Sequence, residues 1–400
     1  MEKYLQRDDE TRAIPSEAAL EEYFKFRQEH DIVGGSSKPG EEKDGRVYTT
    51  ECHALGVVDA PLINATIRER EGFSDDELSD EFFSEAACSN QYLMVMPIDD
   101  RLQVYPVRDK ALEDVLKLAG CYCPMALTVV ENNQRKPQQA EFRSAMVTNG
   151  LHAYKHMAHV LIRDGKLEHF KGPRYQVLPE WDGYHALKDY LDKEYPNNSY
   201  VKGEVSHEYL SVILNTGDDS ACVNLKELLK DNGVKADNVS LYLRYTTSEV
   251  GNAAMRVTPL FDIDGVSIPL TDGIELRHDA GNKIEMLAKK FPQIAEMAKE
   301  AEDAVENLGN TDIKHLDGCF QRIAKELRIL PMQLVKDKVS ELTLIGSGTA
   351  IDVYLSLIDV ANQALSDKKD VGSYVRASEA IAKTLKWDYK HYDKEVIDED

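Results

Sequence analysis

The residues best suited to chemistry lie in one stretch, Thr247-Ser248-Glu249-Val250-Gly251-Asn252-Ala253-Ala254-Met255-Arg256-Val257. Ser248, Glu249 and Arg256 are polar groups set among apolar ones. Gly251 permits a bulge or the close approach of another chain, and Arg277-His278 follow downstream. Such a set could grip a ligand; it could equally close a Glu249 to Arg256 ion pair that pins a strand bend. Asp262, Asp264 and Asp272 come next. Asp262-Ile263-Asp264 places two carboxylates on one strand face, an arrangement that could hold Mg²⁺ for nucleotidyl or phosphoryl transfer. Asp264-Gly265 is also a two-residue turn signal, which accounts for one of the pair without any metal.

Three further groups carry weaker signals. His152, His156 and His159 would align on a helix as metal ligands, but a strand beginning near His156 sends His156 and His159 to opposite faces. Cys121-Tyr122-Cys123 lacks the two-residue spacer of a zinc knuckle, and Cys52, Cys88, Cys222 and Cys319 stand alone. Cys52-His53 offers a nucleophile beside a base, yet neighbours in a strand point apart. Gly346-Ser347-Gly348-Thr349 before a helix could present N–H groups to a phosphate, but it lacks the lysine of a P-loop. A capped turn with Thr349 or Ser347 as N-cap explains it as well. These readings predict no cofactor and no assigned metal site, with Asp262 and Asp264 the only metal candidates.

The elements that must position these residues are of mixed type. Ser16 opens a helix with Leu20, Tyr23 and Phe24 on its apolar side, and the glycines between Gly34 and Gly40 mark a loop. Leu93–Pro97 and Leu102–Val107 flank Asp99-Asp100 as a hairpin, and a helix follows over Lys110–Leu118. His159–Arg163 meets the Asp164-Gly165 turn and returns over Lys166–Phe170; Met255–Ile263 and Val266–Leu270 repeat the pattern about Asp264-Gly265. Helices are expected over 182–193 and 224–232, and after Asn282 the apolar period turns helical, with helices over 312–328, 349–365 and 373–386. The expected fold is α+β: an acidic mixed region over 1–145, a strand-rich α+β core over 146–280, and a helical carboxyl-terminal third over 281–400.

Charge narrows the function. The chain has 71 acidic and 48 basic residues, a net charge of -23, and residues 1–100 alone hold 24 acids against 10 bases. That balance disfavours non-specific adhesion to a polyanion and favours a basic partner. Within Glu71–Glu85, seven acids and no base interleave with Phe73, Leu78, Phe82 and Phe83, as in an acidic amphipathic helix. Asp75, Asp76, Glu77, Phe82 and Phe83 are the candidate partner-binding residues. Only the region from Arg101 to Arg174 is rich enough in cations and aromatics to suggest a nucleic-acid groove, through Tyr105, Arg108, Lys117, Arg135, Lys136, Arg143, Tyr154 and Lys155. Sparse cysteines, the absence of a long apolar run and a charged amino terminus predict a protein of the reducing cytoplasm with no membrane partner. A homo-oligomer is compatible with all of this.

Three stretches resemble a known family. Arg163-Asp164-Gly165 leads to Arg174-Tyr175-Gln176-Val177-Leu178-Pro179; Thr247 to Pro259 reads TSEVGNAAMRVTP; and Gly348-Thr349-Ala350-Ile351-Asp352-Val353-Tyr354 comes late. Together they resemble the phage- and plasmid-borne family labelled domain of unknown function 932. Its members carry an RDG hairpin before an R-Y strand, an (N/S)SEVG-x-x-A-x-R-V-x-P strand and a D-x-Y helix. The resemblance covers about 146–365. It departs after Pro259, where many members have Cys-Thr-Asn-Gly and this chain has Ile268-Pro269-Leu270-Thr271-Asp272-Gly273. The family has no established catalytic residues, so the resemblance implies only a setting: a mobile genetic element inside a bacterium. Three functions follow: an acidic, non-catalytic inhibitor of a host nucleic-acid-handling complex; a recombination or strand-annealing accessory; or a metal-dependent enzyme built on Asp262 and Asp264.

Overall fold

In the computed structural model the described residues are 11–33, 46–56, 92–98, 101–121, 137–218, 237–249, 253–263, 266–269, 273–368 and 371–396, with scattered positions between 222 and 230. In chain order the elements begin β1 (Arg12–Ile14), α1 (Glu17–His30), β2 (Ile32–Val33), β3 (Arg46–Tyr48), β4 (His53–Gly56), β5 (Tyr92–Ile98) and β6 (Arg101–Pro106). Next come α2 (Asp109–Leu118), α3 (Pro137–Tyr154), β7 (Met157–Arg163), β8 (Lys166–Lys171), α4 (Glu180–Glu194), β9 (Ser199–Val205) and β10 (Leu210–Asn215). The chain continues through β11 (Val239–Thr247), β12 (Met255–Ile263), β13 (Val266–Pro269), β14 (Ile274–Leu276), α5 (Ile284–Ala288), α6 (Ile294–Gly309) and β15 (Asp312–Ile313). It closes with α7 (Leu316–Leu327), α8 (Met332–Ile345), β16 (Gly348–Thr349), α9 (Ala350–Lys368), α10 (Val371–Thr384) and α11 (Tyr389–Tyr392). The fold is α+β with a helical carboxyl-terminal region, as the sequence predicts.

Two compact units form. The first comprises Met1–Asp8, Tyr23–Val177 and Asp279–Gly281; the second comprises Asp9–Glu22, Leu178–His278 and Asn282–Asp400. In the first unit β4, β5 and β6 make one antiparallel sheet, and β7 pairs with β2, β3 and β8 in another. Asp164 and Gly165 both take positive φ, 53° and 75°, the backbone a two-residue turn needs to match strand twist, so the Asp-Gly signal is realised as a hairpin. The core gathers Met94, Met96, Val115, Val147, Leu151, Val160, Ile162 and Phe170. Gly150 of α3 lies so close to the Ala119 carbonyl after α2 that a side chain there would collide with backbone.

In the second unit the antiparallel sheet runs β1-β9-β10-β11-β12-β13, with β14 also pairing with β12. Ile263 stands opposite Val266, as expected of strands joined by two residues. Val239, Leu241, Phe261 and Ile263 of the sheet share one core with Phe320, Ile323, Tyr354, Leu357 and Ile381 of the helices. At the start of α1, Ser16 Oγ accepts a hydrogen bond from the Ala19 N–H at 3.2 Å, the capping that its position implies.

Among the longer elements pattern reading misses α3, α8, β9 and β10, and it also misses the short strands β1–β4 and β14–β16. α3 and α8 are weakly amphipathic, and α8 buries only Val335 and Leu342. β9 alternates poorly because Lys202-Gly203 interrupts it, and β10 is a plain apolar run without a turn signal. The Gly34 to Gly40 loop and the acidic segment 71–85 lie outside the described residues, as does most of 224–232. Among the described residues no helix is long and apolar enough to cross a membrane.

Candidate functional site

The polar set singled out around residue 250 is brought together only in part. Ser248, just beyond β11, is buried, and Glu249 Oε1 accepts the Glu180 N–H at 3.3 Å, meeting one of the donors at the start of α4. Gly251 lies outside the described residues. Arg256, on β12, turns to other acids than Glu249: it bonds Glu275, its register partner on β14, at 2.7 Å, and pairs with Glu379 of α10. Glu275 also accepts Arg277 Nε at 3.1 Å, while His278 is buried. The strand is therefore pinned by an ion cluster, but with acids far along the chain in place of Glu249. Burial works to raise the Glu275 carboxyl; the hydrogen bonds from Arg256 and Arg277 outweigh it and hold the group below the usual carboxylate range. Burial opposes the Arg256 charge, and Glu379 and Glu275 more than restore it. Two arginines and two glutamates sum to no net charge, so the cluster serves as a clamp between strands and helix.

Asp262 stands opposite Ser267, whose hydroxyl reaches its Oδ2 at 3.4 Å; Asp264 lies outside the described residues. Among the described residues no group of three or more His, Cys, Asp or Glu is placed to hold a metal ion. The histidines separate as the strand argument requires. His152 ends a helix and contacts the Cys52 carbonyl at 3.1 Å, His156 falls between helix and strand, and His159 takes the Arg46 Nε–H at 3.2 Å on β7. Cys52 is buried, which pushes its thiol well up, with Glu51 adding to the effect; this is the reverse of what a nucleophile needs. At the Gly346–Thr349 turn, Asp352 Oδ2 accepts both the Thr349 N–H at 2.8 Å and its hydroxyl at 3.1 Å. A carboxylate of the chain itself thus sits where an anion would, and the turn is a capped helix start.

A feature that sequence reading missed lies in the first unit. Arg163 binds Asp31 with Nε at 2.9 Å and Nη2 at 2.6 Å; Asp31 lies 3.3 Å from Arg27; Arg27 binds Asp164 at 2.8 Å; Asp164 lies 3.9 Å from Arg108; and Arg108 meets Glu168 at 2.6 Å. None of the six side chains is more than 7% exposed, so the desolvation of each charge must be offset inside the protein, and its neighbours in the row contribute to that. Tyr23 and Phe26 add ring faces at 5.4 Å from the Arg27 guanidinium. Both residues of the RDG turn that carry charge are therefore members of this row. Beside it, Tyr175 of the Arg174-Tyr175 pair sets its ring 5.2 Å from His169 and 6.3 Å from His159. Arg108 cannot serve the groove suggested for nucleic acid, since it is 1% exposed; Lys117 is tied to Glu113, and Arg135 and Lys136 lie outside the described residues. The candidate partner-binding residues Asp75, Asp76, Glu77, Phe82 and Phe83 also lie outside them. No protein-family model, curated protein or solved structure matches the chain.

Proposed function

We propose that this protein acts by binding, as a phage- or plasmid-encoded factor that docks on the basic surface of a host nucleic-acid-handling complex in the bacterial cytoplasm and inhibits it. The observation that carries the reading is the net charge of -23, most concentrated in the first hundred residues. A field of that sign accelerates encounter with a basic partner and selects against polyanions. The fate of the polar clusters supports it. Arg163, Asp164, Arg256 and Asp352 are engaged in holding strands and helices together, which favours a reading that does not rest on them. The setting rests on the resemblance of the RDG, SEVG and D-x-Y stretches to a family of mobile elements.

The test is capture from a bacterial lysate with the full-length protein and with D75K/D76K/E77K. The expected result is a basic protein retained by the native chain, released steeply between about 50 and about 200 mM salt as ionic contacts are screened, and lost from the triple variant. Equal retention by both proteins, or retention indifferent to salt, would overturn the reading.

A further inference from the structure

The second unit contains a recess of about 620 Å³ walled by Arg322, Lys325, Glu326 and Arg328 at the end of α7, and by His391, Tyr392 and Lys394 at and just after α11. Two arginines and two lysines line it beside one carboxylate, which accepts the Tyr392 hydroxyl at 2.8 Å, while Asp393, between Tyr392 and Lys394, accepts the Lys314 and His315 N–H groups at 3.1 and 2.8 Å. Neither Arg328 nor Lys394 makes an ion pair among the described residues. Arg328 is fixed by a left-handed backbone, φ 55°, which ends the helix and directs the chain past the recess. Tyr392 is held in place as well: its ring stacks on Trp387 at 5.8 Å with the planes 20° apart.

We infer that this recess is a binding site for a compact phosphate ester, of the size of a nucleotide. Guanidinium groups present paired N–H donors that match phosphate oxygens, and two of them open on the same space. The volume falls in the range of small-ligand sites. The wall also includes the Tyr392 ring, which is braced by Trp387, and a nucleobase can stack on such an aromatic ring. Bulk charge does not forbid it, because acids more than about 8 Å away are largely screened at physiological salt, so the local excess of cations decides. The same bulk charge does count against a long polyanion, whose phosphates would extend over the acidic surface. The inference does not depend on the proposed protein partner.

The experiment is calorimetric titration of the full-length protein with inorganic phosphate, adenosine monophosphate, a twenty-nucleotide single strand and an oligoglutamate peptide, with tryptophan emission followed in parallel. Saturable binding of the nucleotide is expected, with weaker binding of phosphate alone, and R322Q/R328Q should lose roughly ten-fold or more in affinity for both. Tyr392→Leu should weaken the nucleotide roughly five-fold and leave phosphate unchanged. Lys193→Gln, on α4 and paired with Glu194, should change nothing. Both variants at the recess are checked by circular dichroism, and Arg328→Gln alone, at an exposed position, should already weaken binding of both phosphate and nucleotide if the wider variants lose structure. The inference fails if neither phosphate nor nucleotide saturates by about 1 mM, the weak end of the affinity scale. It also fails if R322Q/R328Q binds like the native protein, or if the twenty-mer or the acidic peptide binds more tightly than the nucleotide.

Discussion

The buried row of the first unit and the recess of the second use arginine in opposite ways, although the second unit also buries one, Arg244 on β11. In the first, Arg27, Arg108 and Arg163 are 0%, 1% and 3% exposed, and each lies against at least one carboxylate. In the second, Arg322 and Arg328 open on a solvent-filled recess that one glutamate shares with a tyrosine. Desolvation explains the contrast. A charge withdrawn from water must be met inside the protein, so a buried arginine is committed to structure, whereas one at a wet surface keeps its donors available for something else. Arg256 lies between these extremes: its side chain is 18% exposed, and it joins β12, β14 and α10 through two glutamates.

The sharpest way to break the contrast is Arg27→Met. It removes the cation between Asp31 and Asp164, leaving Asp31 to Arg163 and Asp164 to the more distant Arg108, and should cost about 3 kcal/mol. Both tryptophans, Trp181 and Trp387, belong to the second unit, so this loss must be read in the first unit by hydrogen exchange of the β7 and β8 amides. Arg256→Gln should cost less, about 1.5–3 kcal/mol for hydrogen bonds to charged groups, and should appear in the tryptophan-detected urea transition. The linked pH effect has a definite sign. The Glu275 carboxyl titrates lower in the folded chain than its ordinary 4.5, so its contribution is complete above that pH and is lost as the pH falls through the folded value. Glu275→Gln should therefore lower stability at neutral pH and flatten the acid limb; an unchanged acid limb would show that the clamp carries no linkage.

Asp352→Ala should cost about 1 kcal/mol, the usual worth of a helix cap. R322Q/R328Q should lie at the opposite end from Arg27→Met, changing the tryptophan-detected stability by less than about 1 kcal/mol, because Arg328 is exposed and half-buried Arg322 makes a long hydrogen bond, 3.5 Å, to the Gly318 carbonyl. A large loss there would mean that these arginines are structural after all, and the contrast between the units would disappear.

How far each feature could be read from sequence follows from the range of the interaction that makes it. The Asp164-Gly165 hairpin and the helix after Ser16 were legible because a turn or cap is decided within four residues. So was the fate of the histidines, which depends only on where helix gives way to strand. The clamp was legible at one end: Arg256 stood out, but Glu379, 123 residues later, did not. The buried row in the first unit was invisible, because Arg27 and Asp164 are ordinary surface-type residues until the fold places them together. The recess was invisible for the same reason, its two walls coming from residues 322–328 and 391–394. The strands β9 and β10 needed their neighbours, since one is broken by Lys202-Gly203 and the other shows no alternation.

The separation of Arg27 from Asp164 also has a consequence in time. The two are 137 residues apart. A ribosome adding about 5–20 residues per second makes Asp164 roughly 7–30 s after Arg27. Throughout that interval α1 carries a guanidinium whose place is the interior, with Asp31 at hand but Asp164 not yet made. The first unit therefore cannot close in the order in which it is made, and its amino-terminal helix must stay solvated, or be held by a chaperone, until the hairpin arrives.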